Sequence, residues 1–249
     1  MRNFKEIVLG IFVILVFGYL VTYIYRYESE KTNKDLAKRI NELSPRGGPP
    51  RSIDDLKIAI ALYENQIERN VKEGVQTGAY WKILGVRLAD KKMHNDALGA
   101  FERAIYYNTE DPALYYLAGI SAGKAAQSVI GFSADADKER ERLYNLSENA
   151  YSRAIEMDSS YSKPMYGIGI LYTFELNRPA DAIPHLERYL KIETSDVPAM
   201  FVLARAYFMT ENFSQAIELY DRIISRTKDQ KVKEEALRNI DIVRRMQYE

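Results

Sequence analysis

The chain of 249 residues has no cysteine, only two histidines and one tryptophan, and no net charge. Without cysteine there is no disulfide framework, no thiolate metal site and no lipid-modified N-terminal cysteine. His94 and His185 are too few and too far apart in sequence to build a zinc site or a facial triad. Lys plus Arg equals Asp plus Glu at 35 each, so no global positive field exists to attract nucleic acid. No titratable cluster suggests a catalytic centre, and the expectation is a non-enzyme without cofactor or metal. One segment, Gly119 to Ala125, glances at a phosphate loop. It has one residue too few between glycines and alanine where a magnesium-binding hydroxyl belongs.

Long charge-free runs are also scarce, with one exception. Residues 7–25 carry 19 residues without a charge, which as a helix reach roughly 28 Å, close to the hydrocarbon thickness of a bilayer. Tyr19, Tyr23 and Tyr25 crowd its C-terminal end, as an interfacial aromatic belt would. The run exceeds the apolar core of a signal peptide and no small-x-small cleavage site comes after it, so it reads as an uncleaved anchor after a tail of residues 1–6. Counting Lys and Arg on both flanks points to a cytoplasmic body. The short tail with Arg2 and Lys5 resembles a signal anchor that exports the rest of its chain, and export is the expectation. This gives a single-pass protein of the inner (cytoplasmic) membrane with a periplasmic body. Residues 26–50 hold a short helix with Leu36, Ile40 and Leu43 on one face, then the linker Ser44-Pro45-Arg46-Gly47-Gly48-Pro49-Pro50.

What the rest of the chain has is a period. A small residue recurs at Gly85, Gly119, Gly169 and Ala204, in steps of 34, 50 and 35 residues, the middle step holding an insertion of 16. Around it lie Trp81, Leu84, Gly85 and Leu88, spaced as one helical face, then Ala97, Phe101 and Ala104 as a second. The other copies read Tyr115, Ala118, Gly119, Ala122 with Ser147, Tyr151, Ala154; Met165, Ile168, Gly169, Tyr172 with, one residue late, Ala182, Leu186, Tyr189; and Met200, Leu203, Ala204, Tyr207 with Ala216, Tyr220, Ile223. Such a period implies stacked helix pairs, none able to bury its apolar face alone. Asp111-Pro112 and Asp196-Val197-Pro198 provide caps for the next pairs, and Asn95 and Asn212 are candidate caps of second helices.

Over about residues 78–230 this pattern resembles the tetratricopeptide repeat family, W-x2-L-G-x2-Y followed by A-x3-F-x2-A and a proline. The terminal proline is missing in every copy, with Thr109, Ser159, Thr194 and Lys228 in its place. The resemblance implies an all-α solenoid of about four helix pairs (78–229) with flanking helices, to which the apolar run 7–25 adds an N-terminal transmembrane helix. The N-terminal flanking helix occupies 51–77. Its stripe of Leu56, Ile60, Tyr63 and Ile67 covers the first pair, and it ends at a C-cap near Gly74. A polar-backed capping helix occupies 230–249.

The resemblance also implies a concave groove. One position round from the packing motif lie Lys82, Val86, Tyr116, Ile120, Tyr166, Ile170, Phe201 and Arg205, continued by Phe174 and Phe208. Only Lys82 and Arg205 approach the slots of the family's carboxylate clamp, so the groove is expected to be apolar and aromatic. Its rings at positions 116, 166 and 201 are expected to form a ladder. Three uses stay open: plain core, a groove for a partner protein's helix or extended peptide, or a site for a lipophilic small molecule. The insertion, about residues 124–140, bears Val129, Ile130 and Phe132 and could plug this groove or dock elsewhere. The reading is therefore a membrane-anchored scaffold binding protein partners to assemble a membrane or envelope complex, in secretion, pilus or periplasmic flagellar machinery. The alternative is a carrier of a hydrophobic small molecule acting with a membrane transporter.

Overall fold

The computed structural model describes residues 53–247 and, before them, only isolated positions between 19 and 38. The apolar run 7–25 and the linker 26–50 otherwise lie outside the described residues. Among those described, no helix is long and apolar enough to cross a membrane. The chain divides into two units, residues 1–73 and 74–249.

The described residues hold nine α-helices, one π-helical turn and no strand. They are α1 (Ile53–Asp90), α2 (His94–Tyr107), α3 (Pro112–Ser128), α4 (Ala134–Met157), α5 (Ser162–Ile170), continued by the π turn Leu171–Glu175, α6 (Pro179–Ile192), α7 (Val197–Met209), α8 (Phe213–Arg226) and α9 (Gln230–Gln247). From α2 to α9 each helix packs on its successor, and α5 also packs on both α3 and α7, the near-neighbour contacts of a solenoid. The recurring small residue explains the pairing. A Cβ on Gly85 would meet Phe101 at 2.6 Å, on Gly119 Tyr151 at 2.7 Å, and on Gly169 Leu186 at 2.5 Å. In each pair the second helix lays a large side chain directly on the backbone of the first.

Three sequence expectations are corrected. α1 does not end near Gly74 but runs unbroken to Asp90. Gly74 lacks the left-handed backbone of a C-cap, and Gly78 serves close packing instead, since a Cβ there would meet Tyr107 Cβ at 2.9 Å. The stripe Leu56, Ile60, Tyr63, Ile67 is exposed, whereas Ala59 beside it is buried. Neither candidate asparagine caps a helix through its side chain. Asn95 lies inside α2, and Asn212, though at the N-cap position of α8, donates from Nδ2 to Thr210 Oγ1 at 2.9 Å. The turns between helices use a left-handed residue instead: Lys92, Asn177 and Glu211, with φ of 61°, 50° and 59°. Asp111 and Asp196 do cap α3 and α7, accepting from the backbone N–H of Ala113 at 2.9 Å and of Ala199 at 3.0 Å.

Where the family's terminal proline is absent, side chains of the following unit hold the backbone. Tyr115 donates to the Thr109 carbonyl at 3.2 Å, Arg188 to that of Ser159, and Arg222 to that of Thr194 at 3.0 Å. Irregular spacing also has a structural cause in each case. Of the sixteen inserted residues, four extend α3, ten extend α4 and two lengthen their loop, relative to the α1–α2 and α7–α8 turns. The third copy's second half arrives one residue late because the π turn Leu171–Glu175 absorbs one residue. Thr173 Oγ1 donates to the Gly169 carbonyl at 2.7 Å inside this turn.

Candidate functional site

The π turn and the lengthened α3 and α4 together create a cleft of about 240 Å³, open to solvent. Tyr116 and Ile120 of α3 and Tyr166 and Ile170 of α5 form much of its wall, with Tyr151 and Gly167 below them. These four groove residues from the sequence are thus brought into one site, all half-buried against the core. Gly167 leaves room for the Tyr151 ring, which a Cβ would meet at 2.7 Å.

One end of the cleft is polar. The extra residue of the π turn changes the facing of Glu175 so that its carboxylate meets α3 and α4. It accepts from Gln127 Nε2 at 2.7 Å and from the Tyr144 hydroxyl, and Lys124 Nζ lies 3.1 Å from Gln127 Oε1. Burial, followed by the Glu175 bond, pushes the Tyr144 phenol well above its ordinary value. Lys163, at the first turn of α5, also lines the cleft. Sequence reasoning missed Lys124, Gln127, Tyr144, Lys163 and Glu175; the signal was the one-residue delay in the third copy.

The remaining groove residues are placed differently. Lys82 is engaged, its Nζ 2.8 Å from Asp111 Oδ2, the carboxylate that caps α3. Val86 and Phe174 are exposed. The rings do not form a ladder along successive first helices. Each pairs with a ring of its own unit instead, Tyr116 with Tyr151 at 6.1 Å, Tyr166 with Tyr189 at 5.1 Å and Phe201 with Tyr220 at 5.9 Å between centroids, and Tyr116 also meets Tyr161 at the start of α5 at 5.5 Å. Second-helix aromatics hold the first-helix rings because both flank the close-packed small residue. The Arg205 guanidinium lies 5.6 Å over Phe208, which packs on Phe213 at 6.0 Å. The Gly119–Ala125 segment lies inside α3 and is no loop.

The insertion does not plug the cleft. Val129 packs on the core, but Ile130 and Phe132 are 96% and 103% exposed. Their loop is nonetheless built. Arg140 donates to the carbonyls of Val129 at 3.4 Å and Gly131 at 3.1 Å, Gly131 takes φ of 119°, and Ser133 caps α4. Elsewhere, His185 is half-buried and burial lowers its pKa. Among the described residues no group of acidic and histidine side chains could hold a metal ion.

A family profile described as tetratricopeptide repeat matches residues 174–236, from the π turn into α9. A comparison with curated protein sequences finds no match. Among solved structures, TTC0263, a thermophilic tetratricopeptide protein of Thermus thermophilus, is similar with a TM-score of 0.52 and 16% identity. The likeness covers 72% of this chain and 87% of that one. MamA (41-end) of Desulfovibrio magneticus RS-1 is similar with a TM-score of 0.52 and 15% identity, over 69% of this chain and 97% of its own. These likenesses establish the fold: an all-helical solenoid of the tetratricopeptide type.

Proposed function

We propose that this protein is a membrane-anchored scaffold that binds a protein partner through the cleft between α3, α4 and α5. The supporting observation is the cleft's composition: four apolar and aromatic side chains on two successive first helices, closed at one end by the Glu175, Gln127 and Tyr144 cluster. A partner inserts a large apolar side chain among Tyr116, Ile120, Tyr166 and Ile170, and a donor beside it meets Glu175. The fold itself commonly mediates protein–protein contacts. An anchor at residues 7–25, with the body exported, places the assembled complex at the membrane or envelope.

The cleft's size argues for this over carriage of a lipophilic molecule. At about 240 Å³ it falls below the roughly 300–1,000 Å³ of small-molecule sites. A photo-crosslinking residue at Ile120, in the full chain in native membranes, tests the reading. It should capture a discrete protein that the same probe at exposed Tyr106 does not. Capture of lipid alone, or the same products from both positions, would contradict it.

A further inference from the structure

In the first unit, the helical segment 53–73 carries apolar residues at Ile53, Leu56, Ile60, Tyr63 and Ile67. Their spacing is 3, 4, 3, 4, the a/d repeat of a coiled coil. All five are exposed, by 37% to 73%. Ala59, at the neighbouring g position, is buried, whereas Ile58 at an f position and Val71 at an e position are exposed like the seam, by 50% and 60%. A contiguous apolar patch of this kind marks an interaction surface.

We propose that the seam is covered by the same seam of a second copy, in a parallel two-stranded coiled coil that dimerises the protein. Composition selects this occupant. The three a positions, 53, 60 and 67, are all isoleucine and the first d position is Leu56; β-branched residues at a with leucine at d favour two parallel strands. In that register the g/e pairs 59/64 and 66/71 are Ala with Glu and Gln with Val, so no like charges oppose. Five side chains of this size offer on the order of 500 Å² per copy. Two copies then approach the ~1,200 Å² at which specific interfaces begin. Asn70 at the next d position ends the apolar seam. The inference does not depend on the cleft and stands or falls separately from it.

Absence of cysteine makes the test direct. Single Ile60→Cys, Ile67→Cys and Asn65→Cys variants of the full chain are oxidised in native membranes and in detergent. Asn65 is exposed at an f position, facing away from the seam. Ile60→Cys and Ile67→Cys should each give a covalent dimer, because a-position backbones in a parallel pair lie within disulfide reach, and Asn65→Cys should give none above background. Separately, Ile60→Glu with Ile67→Glu should halve the mass found by light scattering while the helical signal of the repeats is retained. Equal cross-linking at position 65, or none at 60 and 67, overturns the proposal. So does a cysteine at 60 shielded from maleimide in a monomer, which would mean that the chain's own N-terminal segment covers the seam. An antiparallel pair brings Lys57 of one copy near Glu64 of the other. It would link Ile60→Cys chains only when mixed with Tyr63→Cys chains, and that pattern overturns the parallel arrangement.

Discussion

The Glu175 carboxylate accepts a hydrogen bond from the Tyr144 hydroxyl, joining a π turn at the end of one first helix to the second helix of the preceding pair. The Glu175 half of this contact has no counterpart in a regular repeat. Tyr144 stands three residues before the Ser147 motif position, where α2 and α8 begin with His94 and Phe213, and the one extra residue after Gly169 turns Glu175 toward it. Hydrogen bonds to charged groups contribute about 1.5–3 kcal/mol when partly buried. Tyr144→Phe should therefore lower stability by roughly 1–2 kcal/mol in urea unfolding. With Glu175→Gln also present the loss should be less than additive, and full additivity would mean that the two side chains are not coupled.

Removing the extra residue tests the origin of that contact. Deleting exposed Phe174 restores the 12-residue step between the small residue and the next motif half seen at Gly85 to Ala97 and Ala204 to Ala216. The variant should fold with unchanged helical content and lose less than about 2 kcal/mol. In it, Tyr144→Phe should no longer matter. Collapse of the fold on deletion would show that the π turn is needed for packing and not merely tolerated by it.

Gly85→Leu should be far more damaging, because even a Cβ there would stand 2.6 Å from the Phe101 ring. Overpacking costs about 1–3 kcal/mol or more, and Gly85→Leu with Phe101→Ala should recover part of the loss. A parent-like melting curve for the single variant would refute the helix-pair contact.

The four copies and their close-packed small residues could be read from the sequence because a small residue recurring in steps of 34, 50 and 35, the middle one a period plus an insertion, has one physical use, backbone contact between paired helices. The cleft was half legible. Tyr116, Ile120, Tyr166 and Ile170 follow from helical spacing, but Gln127 and Glu175 depend on an insertion and a π turn whose geometry no periodicity encodes. Asn95 and Asn212 misled because asparagine before a helix suggests a cap, whereas these turns rely on left-handed Lys92, Asn177 and Glu211. The stripe from Leu56 to Ile67 was visible as apolar, yet an apolar stripe alone does not reveal whether it is covered.

Alkaline titration provides a global test of the packing. Burial raises the pKa of the phenols of Tyr116, Tyr144, Tyr151, Tyr161, Tyr166, Tyr172, Tyr189, Tyr207 and Tyr220, with Tyr161 and Tyr172 pushed up to about 12. Each raised phenol favours the folded chain while neutral. That contribution is fully present below the ordinary value of 10.0 and is lost as pH rises through the folded values. Phenolate absorbance of these nine rings in the near ultraviolet should thus develop only together with unfolding. A single transition at the ordinary phenol value without unfolding would contradict the assigned burial.

The exposed loop separates folding from recruitment. Replacing residues 129–132 with two glycines, keeping Ser133 as the α4 cap, should cost little stability, because Ile130 and Phe132 bury nothing. A sharp fall in melting temperature would instead show that Val129 and the Arg140 contacts hold the ends of α3 and α4 together.

The central claim is that a partner enters the cleft, and affinity for the cross-linked partner measures it most directly. Ile120→Asp and Ile170→Asp each place a carboxylate in the apolar wall near Glu175 without touching the glycine contacts. With the parent-like helical signal retained, each should weaken binding by about 100-fold, or some 2.7 kcal/mol, while Phe208→Ala, outside the cleft, leaves it within about threefold. Unchanged affinity in folded Ile120→Asp and Ile170→Asp would contradict the account and move recognition away from the cleft.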